Sequence, residues 1–92
     1  MHFTVQHVFY IKPPVDRVIL VGIVDQGVVR KDDVVVIHAG AKLLEAKVEG
    51  IERIRQGDTP AARSGDQVGL RVTGVPKDAV KPGDTITNHE GA

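Results

Sequence analysis

The chain reads as short runs of apolar, largely β-branched residues separated by turn residues, the pattern of strands bounded by punctuation. Phe3 to Ile11 forms the first run. Its alternation slips phase at Val8-Phe9, which predicts a bulge or a twist, and Pro13-Pro14 ends it because proline cannot donate to a ladder. Arg17 to Asp25 (RVILVGIVD) is the most apolar run. It predicts a central strand covered on both faces, with Gly22 at a bend or a close backbone approach. Gln26-Gly27 is a turn, and Val34 to His38 a strand closed by Ala39-Gly40. Leu43 to Arg55 carries β-branched residues at Val48, Ile51 and Ile54. Helix propensity over Ala41 to Val48 is adequate, but Gly50 interrupts it and no cap frames it, so a hairpin strand is expected. Gln67 to Thr73 and Asp84 to Asn88 supply the last strands, with Pro76 to Val80 as a turn or one helical turn between them.

Six or seven strands in 92 residues predict one all-β domain over residues 1–92, a barrel or a sandwich, with an antiparallel closed barrel preferred at this size. Closure removes the sheet edges that would otherwise template aggregation. Residues of this number bury roughly 60–65% of their unfolded surface, enough for one modest core.

Composition narrows the chemistry. There is no cysteine, so disulfides and thiolate metal sites are excluded. No apolar run approaches the length of a membrane span, and Met1 to Gln6 lacks the pattern of a signal peptide. A cytoplasmic setting is the expectation. Twelve basic residues match twelve acidic ones, whereas a non-specific nucleic-acid binder carries a basic excess. Four histidines (His2, His7, His38, His89) show no metal-ligand spacing. Ser64 is the only serine, and it sits in a turn with no activating base in view. No catalytic residue, metal or cofactor is expected.

One design recurs. Asp32-Asp33-Val34, Gly65-Asp66-Gln67 and Gly83-Asp84-Thr85 each place an aspartate between a tight turn and a strand. Glycine takes positive φ at no steric cost, and the aspartate can accept backbone N–H bonds. Asp33, Gly65, Asp66, Gly83 and Asp84 are therefore expected to hold turns rather than a metal.

In order, the chain presents Gln6-His7-Val8-Phe9, Val21-Gly22-Ile23-Val24, Gly27 to Asp33, Val48-Glu49-Gly50-Ile51-Glu52, Ala62 to Leu70 and Val80 to Ile86. This ordered set, over about residues 3–88, resembles the second domain of elongation factor Tu and its relatives among translational GTPases. The resemblance implies a six-stranded antiparallel barrel that contacts the aminoacylated end of tRNA, or ribosomal RNA. In that family a separate domain binds the nucleotide; no Gly-rich phosphate loop occurs here, so no nucleotide is expected on this chain. Phe9 and Glu52 match family positions, Glu52 aligning with a glutamate that contacts the terminal adenosine. Gln6 and His7 stand where the family typically has Glu-Asp, and Val21 where it has threonine. Lys12 to Arg17 replaces a Gly-Arg-Gly stretch. Flavin-binding barrels share the Gly-Asp punctuation but add an Arg-x-Tyr-Ser-type strand that is missing here.

Lys47, Arg53, Arg55 and Arg63 gather around the long hairpin, interleaved with Glu45, Glu49, Glu52 and Asp58. The expected binding residues are Gln6, His7, Phe9, Glu52, Arg53, Arg55 and Arg63. The partner is RNA, tRNA or ribosomal, or a protein; the other reading is an assembly domain acting through protein–protein contacts. No membrane partner is expected.

Overall fold

A computed structural model describes residues 1–76 and 78–88. Lys77, within the turn expected over Pro76 to Val80, and His89 lie outside the described residues. Nine strands follow one another: β1 (His2–Ile11), β2 (Arg17–Gln26), β3 (Val28–Arg30), β4 (Val34–Ala39), β5 (Lys42–Arg53), β6 (Gly57–Thr59), β7 (Ala61–Arg63), β8 (Gln67–Thr73) and β9 (Thr85–Asn88). No helix occurs among the described residues, and so none long and apolar enough to cross a membrane.

The main sheet runs β4-β9-β1-β2-β8-β5, and β4 pairs again with β5. Six strands thus close a barrel, all in antiparallel pairs. β6 joins β5 as a seventh strand outside the ring, and β3 and β7 form a separate two-stranded ribbon. The helical alternative for Ala41 to Val48 is overturned. Lys42–Ala39 through Lys47–Val34 pair as a hairpin, with Gly40 at φ +62° in the turn.

Strand parity explains the core. Val18, Leu20 and Val24 of β2, Ala46, Val48 and Ile51 of β5, and Val68, Leu70 and Val72 of β8 point inward and are buried. Phe3, Val5, Val35, Ile37 and Ile86 are buried with them, as are Val29, Ala62 and Val80. Burying each large side chain contributes about 1.5–3 kcal/mol. Gly22 faces this interior where β1 and β2 approach closely. A Cβ there would overlap the Thr4 carbonyl oxygen and stand 3.0 Å from Phe3 Cε1.

Three details differ from the sequence expectation. The slip in β1 lies at Gln6, between the pairs Val5–Gly22 and His7–Val21. Phe3 and Val5 point in, Gln6 is the extra residue, and Val8 and Tyr10 pack against the core while Phe9 turns out. β2 is covered on one face only: outward Ile19, Val21 and Ile23 are half-buried. The residues after Gly27 and between Gly57 and Arg63 hold three short strands, each three residues long, below the length at which alternation can be read.

The aspartate turns share one geometry. Asp33 Oδ2 accepts from Arg30 N at 2.8 Å, Asp66 Oδ2 from Arg63 N at 3.0 Å, and Asp84 Oδ2 from Lys81 N at 2.8 Å. In each, the aspartate N–H returns a bond to the carbonyl of that same basic residue, at 3.1, 2.9 and 3.1 Å. The residue before the aspartate has positive φ: Asp32 at +74°, Gly65 at +92° and Gly83 at +97°. These are four-residue turns with a left-handed third position, where glycine is favoured. Asp66 does more than close its turn, because Arg53 Nη2 also donates to its Oδ2 at 3.1 Å.

Candidate functional site

The outer face of β1-β2-β8-β5 brings the sequence-selected residues into register. His7 pairs with Val21, Val21 with Gly69 and Gly69 with Glu52, so these four residues form one row across the face. Phe9, Ile19, Arg71 and Gly50 form the next. Gly69 has no side chain, and the row sinks at that point. Ile19, Val21, Glu52, Ile54 and Arg55 surround it, enclosing a shallow groove of ≈ 240 Å³. A Cβ on Gly69 would stand 3.2 Å from Ile19 Cγ2 and 3.6 Å from Val21 Cγ2, so any larger residue fills the groove. Phe9 is 54% exposed and Ile54 49% exposed. The His7 and Phe9 rings lie 6.3 Å apart, tilted by 40°. An apolar floor with an exposed aliphatic wall at Ile54, and an exposed phenylalanine in the neighbouring row, marks an interaction surface more than a solvated one.

The rim is polar, and much of its charge is internally matched. Arg17 bonds both carboxylate oxygens of Glu49, through Nε and Nη2. Arg71 holds Asp58 with two bonds of 3.2 Å, and Glu52 lies 3.9 Å from its Nη1. This fork lowers the Asp58 pKa below the ordinary carboxylate value, chiefly through the Arg71 hydrogen bond. The guanidinium lies where a side chain on Gly50 would otherwise stand. Gln67 Nε2 donates to Gln6 Oε1 at 2.9 Å, which fastens the bulge residue to β8. At the far end of β1, Thr4 Oγ1 donates to Asp25 at 2.5 Å and His2 Nδ1 lies 3.0 Å from the same oxygen. The Thr4 bond, with His2 second, lowers the Asp25 pKa.

Of the seven residues singled out from the sequence, His7, Phe9, Glu52 and Arg55 meet at or beside the groove, with Gln6 at the bulge next to His7. Arg53 and Arg63 do not join them. Arg53 alternates to the opposite side of β5 from Glu52 and engages Asp66. Arg63 lies on β7, opposite Val28 in the ribbon. Ile19, Gly69 and Ile54 were not singled out. The signal for Ile19 was the unbroken apolar run of β2, which supplies both an inner and an outer face. Gly69 becomes informative only once its partners are known. Ser64 Oγ donates to the Asp25 carbonyl at 3.2 Å, and no cluster of three or more metal-ligating side chains occurs among the described residues.

No family model and no curated protein matches the chain. Among solved structures, translation elongation factor SelB from Methanococcus maripaludis is similar in two states. Its complex with the GTP analogue GppNHp superposes with a TM-score of 0.82 and 23% identity over 96% of this chain. Its apo form gives the same TM-score and identity over 95%. This chain spans 18% of the length of either. The fold is therefore the translation-factor β-barrel, in agreement with the strand count and the sequence resemblance.

Proposed function

We propose that this chain is a non-catalytic binding module of the translation-factor barrel type, acting in the cytoplasm, that docks on RNA or on a translation-related protein through the outer face of β1-β2-β8-β5. The observation that carries the proposal is the apolar groove over Gly69, with Ile54 exposed on its wall and Phe9 exposed in the adjacent row, across from Ile19. Surface of this kind gains most when a planar or apolar group of a partner is laid on it. The barrel fold shared with SelB supports a translation-related partner. A base stacks on an exposed phenylalanine whatever its identity, at about 1–3 kcal/mol per base.

The test is a mobility-shift and filter-binding series with tRNA and with ribosomal subunits at low salt. Binding by the full chain is expected, and Phe9→Ala should weaken it about tenfold or more, in line with the loss of one stacked or anchored group. Absence of binding to either RNA at low salt refutes the RNA form of the proposal.

The assembly reading draws on a different observation. Arg17, Arg53 and Arg71 each sit against a carboxylate of the same chain, which lowers the attraction for a phosphate backbone and leaves a face suited to protein contact. Capture of a defined translation protein, with RNA binding absent, favours this second form.

A further inference from the structure

The tip of the β5–β6 hairpin supplies one wall of the Gly69 groove, and it is braced on both sides. Residues 53–56 make a four-residue turn, closed by the Gln56 N–H on the Arg53 carbonyl at 3.0 Å. Before the turn, Arg53 donates to Asp66. After it, Asp58 of β6 is held by the Arg71 fork. Ile54 and Arg55, the two middle residues of the turn, line the groove. A wall fixed in advance loses little freedom when a partner settles against it.

Charge and shape together select what settles there. Arg17, Arg53 and Arg71 each sit against a carboxylate of the same chain. Arg55 is exposed, and its side chain has no hydrogen-bond or ion-pair partner among the described residues. Glu52, the other charged residue lining the groove, lies 3.9 Å from Arg71 Nη1. The groove therefore offers one unmatched charge, and it is positive. A single cation is too few for a phosphate backbone, whose attraction comes from many contacts at once. It suits one carboxylate held beside an apolar anchor. The floor favours methyl groups: a Cβ on Gly69 would stand 3.2 Å from Ile19 Cγ2 and 3.6 Å from Val21 Cγ2, so a methyl seated just above that point touches both. A groove of ≈ 240 Å³ takes one branched aliphatic side chain.

We infer that the Gly69 groove docks a short acidic peptide segment of a protein partner, which seats one leucine side chain over Gly69 and pairs a neighbouring carboxylate with Arg55. The inference rests on the docking reading above and selects its protein form. The carboxylate lies on the Arg55 side, because Glu52 repels it. The contact is far smaller than a standard protein interface, so it is weak and exchanges readily.

An amide chemical-shift titration of the full, isotope-labelled chain tests the inference. The probe is a blocked peptide with one leucine flanked by glutamates. Shifts are expected at Ile54, Arg55 and Gly69, saturating at millimolar peptide. Arg55→Gln, at an exposed position, should weaken binding about three- to fivefold, the share of one exposed ion pair, and should remove its salt dependence. Arg55→Lys, which keeps the charge, should retain most of the affinity, and Glu52→Gln should tighten binding. Replacing the leucine of the probe by alanine should cost about tenfold or more, and replacing its glutamates by lysines should abolish binding. Absence of shifts around Gly69 at millimolar peptide overturns the inference, as does equal binding of the lysine probe or binding that Arg55→Gln leaves unchanged. RNA binding that Phe9→Ala weakens, without peptide binding, sinks this inference and leaves the docking reading in its RNA form. Arg55-dependent peptide binding without RNA binding sinks the RNA form alone.

Discussion

Gly22→Ala adds one methyl group at the tightest backbone approach in the barrel. The new Cβ would overlap the Thr4 carbonyl oxygen and stand 2.9 Å from the Thr4 carbonyl carbon. Neither atom belongs to a flexible side chain. Thr4 sits in β1, paired with Ile23 on one side and Thr85 on the other, so relief requires parting β1 from β2 near Val5–Gly22. Overpacking of this kind costs about 1–3 kcal/mol, and each ladder bond lost adds about 1 kcal/mol. A destabilisation of about 3 kcal/mol or more follows, a large share of the roughly 5–14 kcal/mol available to a domain of this size. Gly40→Ala is the control. Gly40 has φ +62° but open space around it, so only the left-handed strain of about 1 kcal/mol applies, partly offset by the lower entropy of the unfolded chain. Urea unfolding followed by far-UV circular dichroism measures both. A Gly22→Ala variant within about 1 kcal/mol of the parent, or no less stable than Gly40→Ala, refutes the reasoning.

Two further outcomes are expected. Asp66→Ala should cost about 2–3 kcal/mol in urea unfolding, because it removes bonds from both Arg63 N and Arg53 Nη2, whereas Asp84→Ala, which removes the bond from Lys81 N, should cost about 1 kcal/mol; equal losses would contradict this ordering. Tyr10 is the only tyrosine and there is no tryptophan, so its ultraviolet titration is unobscured: the hydrogen bond to Asp16 raises the phenol pKa above 10.0, the bond's contribution to stability is complete below pH 10 and lost as pH rises through the folded value, and Asp16→Ala should return the midpoint toward 10.0.

Where side-chain parity and turn chemistry spoke together, the sequence was readable. Gly22 stood out as a glycine inside an apolar run, and the structure places it against a carbonyl of the next strand. The aspartates at 33, 66 and 84 followed turn residues and preceded strands, and each closes a turn of one type. Phe9 was visible as an aromatic residue out of phase with its neighbours. What escaped was decided by pairing across the sheet. Gly69 and Ile19 become a groove only because β8 and β2 are adjacent in one register. Arg53 and Arg55 looked equivalent, two basic residues of one parity, but β5 ends at Arg53, which reaches Asp66, and Arg55 lies in the turn beyond it with φ +66°, where it borders the groove. The ribbon of β3 and β7 escaped because its buried residues, Val29 and Ala62, are one per strand.

The bulge at Gln6 does for β1 what a frame shift does for a message. Before it, odd-numbered residues Phe3 and Val5 speak to the core; after it, even-numbered Val8 and Tyr10 do, and Phe9 is released to the outside. A single strand can therefore satisfy the interior along its whole length while presenting an aromatic ring to the exterior. The two duties are uncoupled at one residue, which is itself tied down by Gln67. Variation downstream of Gln6 can re-tune the outer surface at Phe9 without disturbing the packing around Phe3, and the interior can change at Phe3 and Val5 without re-aiming the ring.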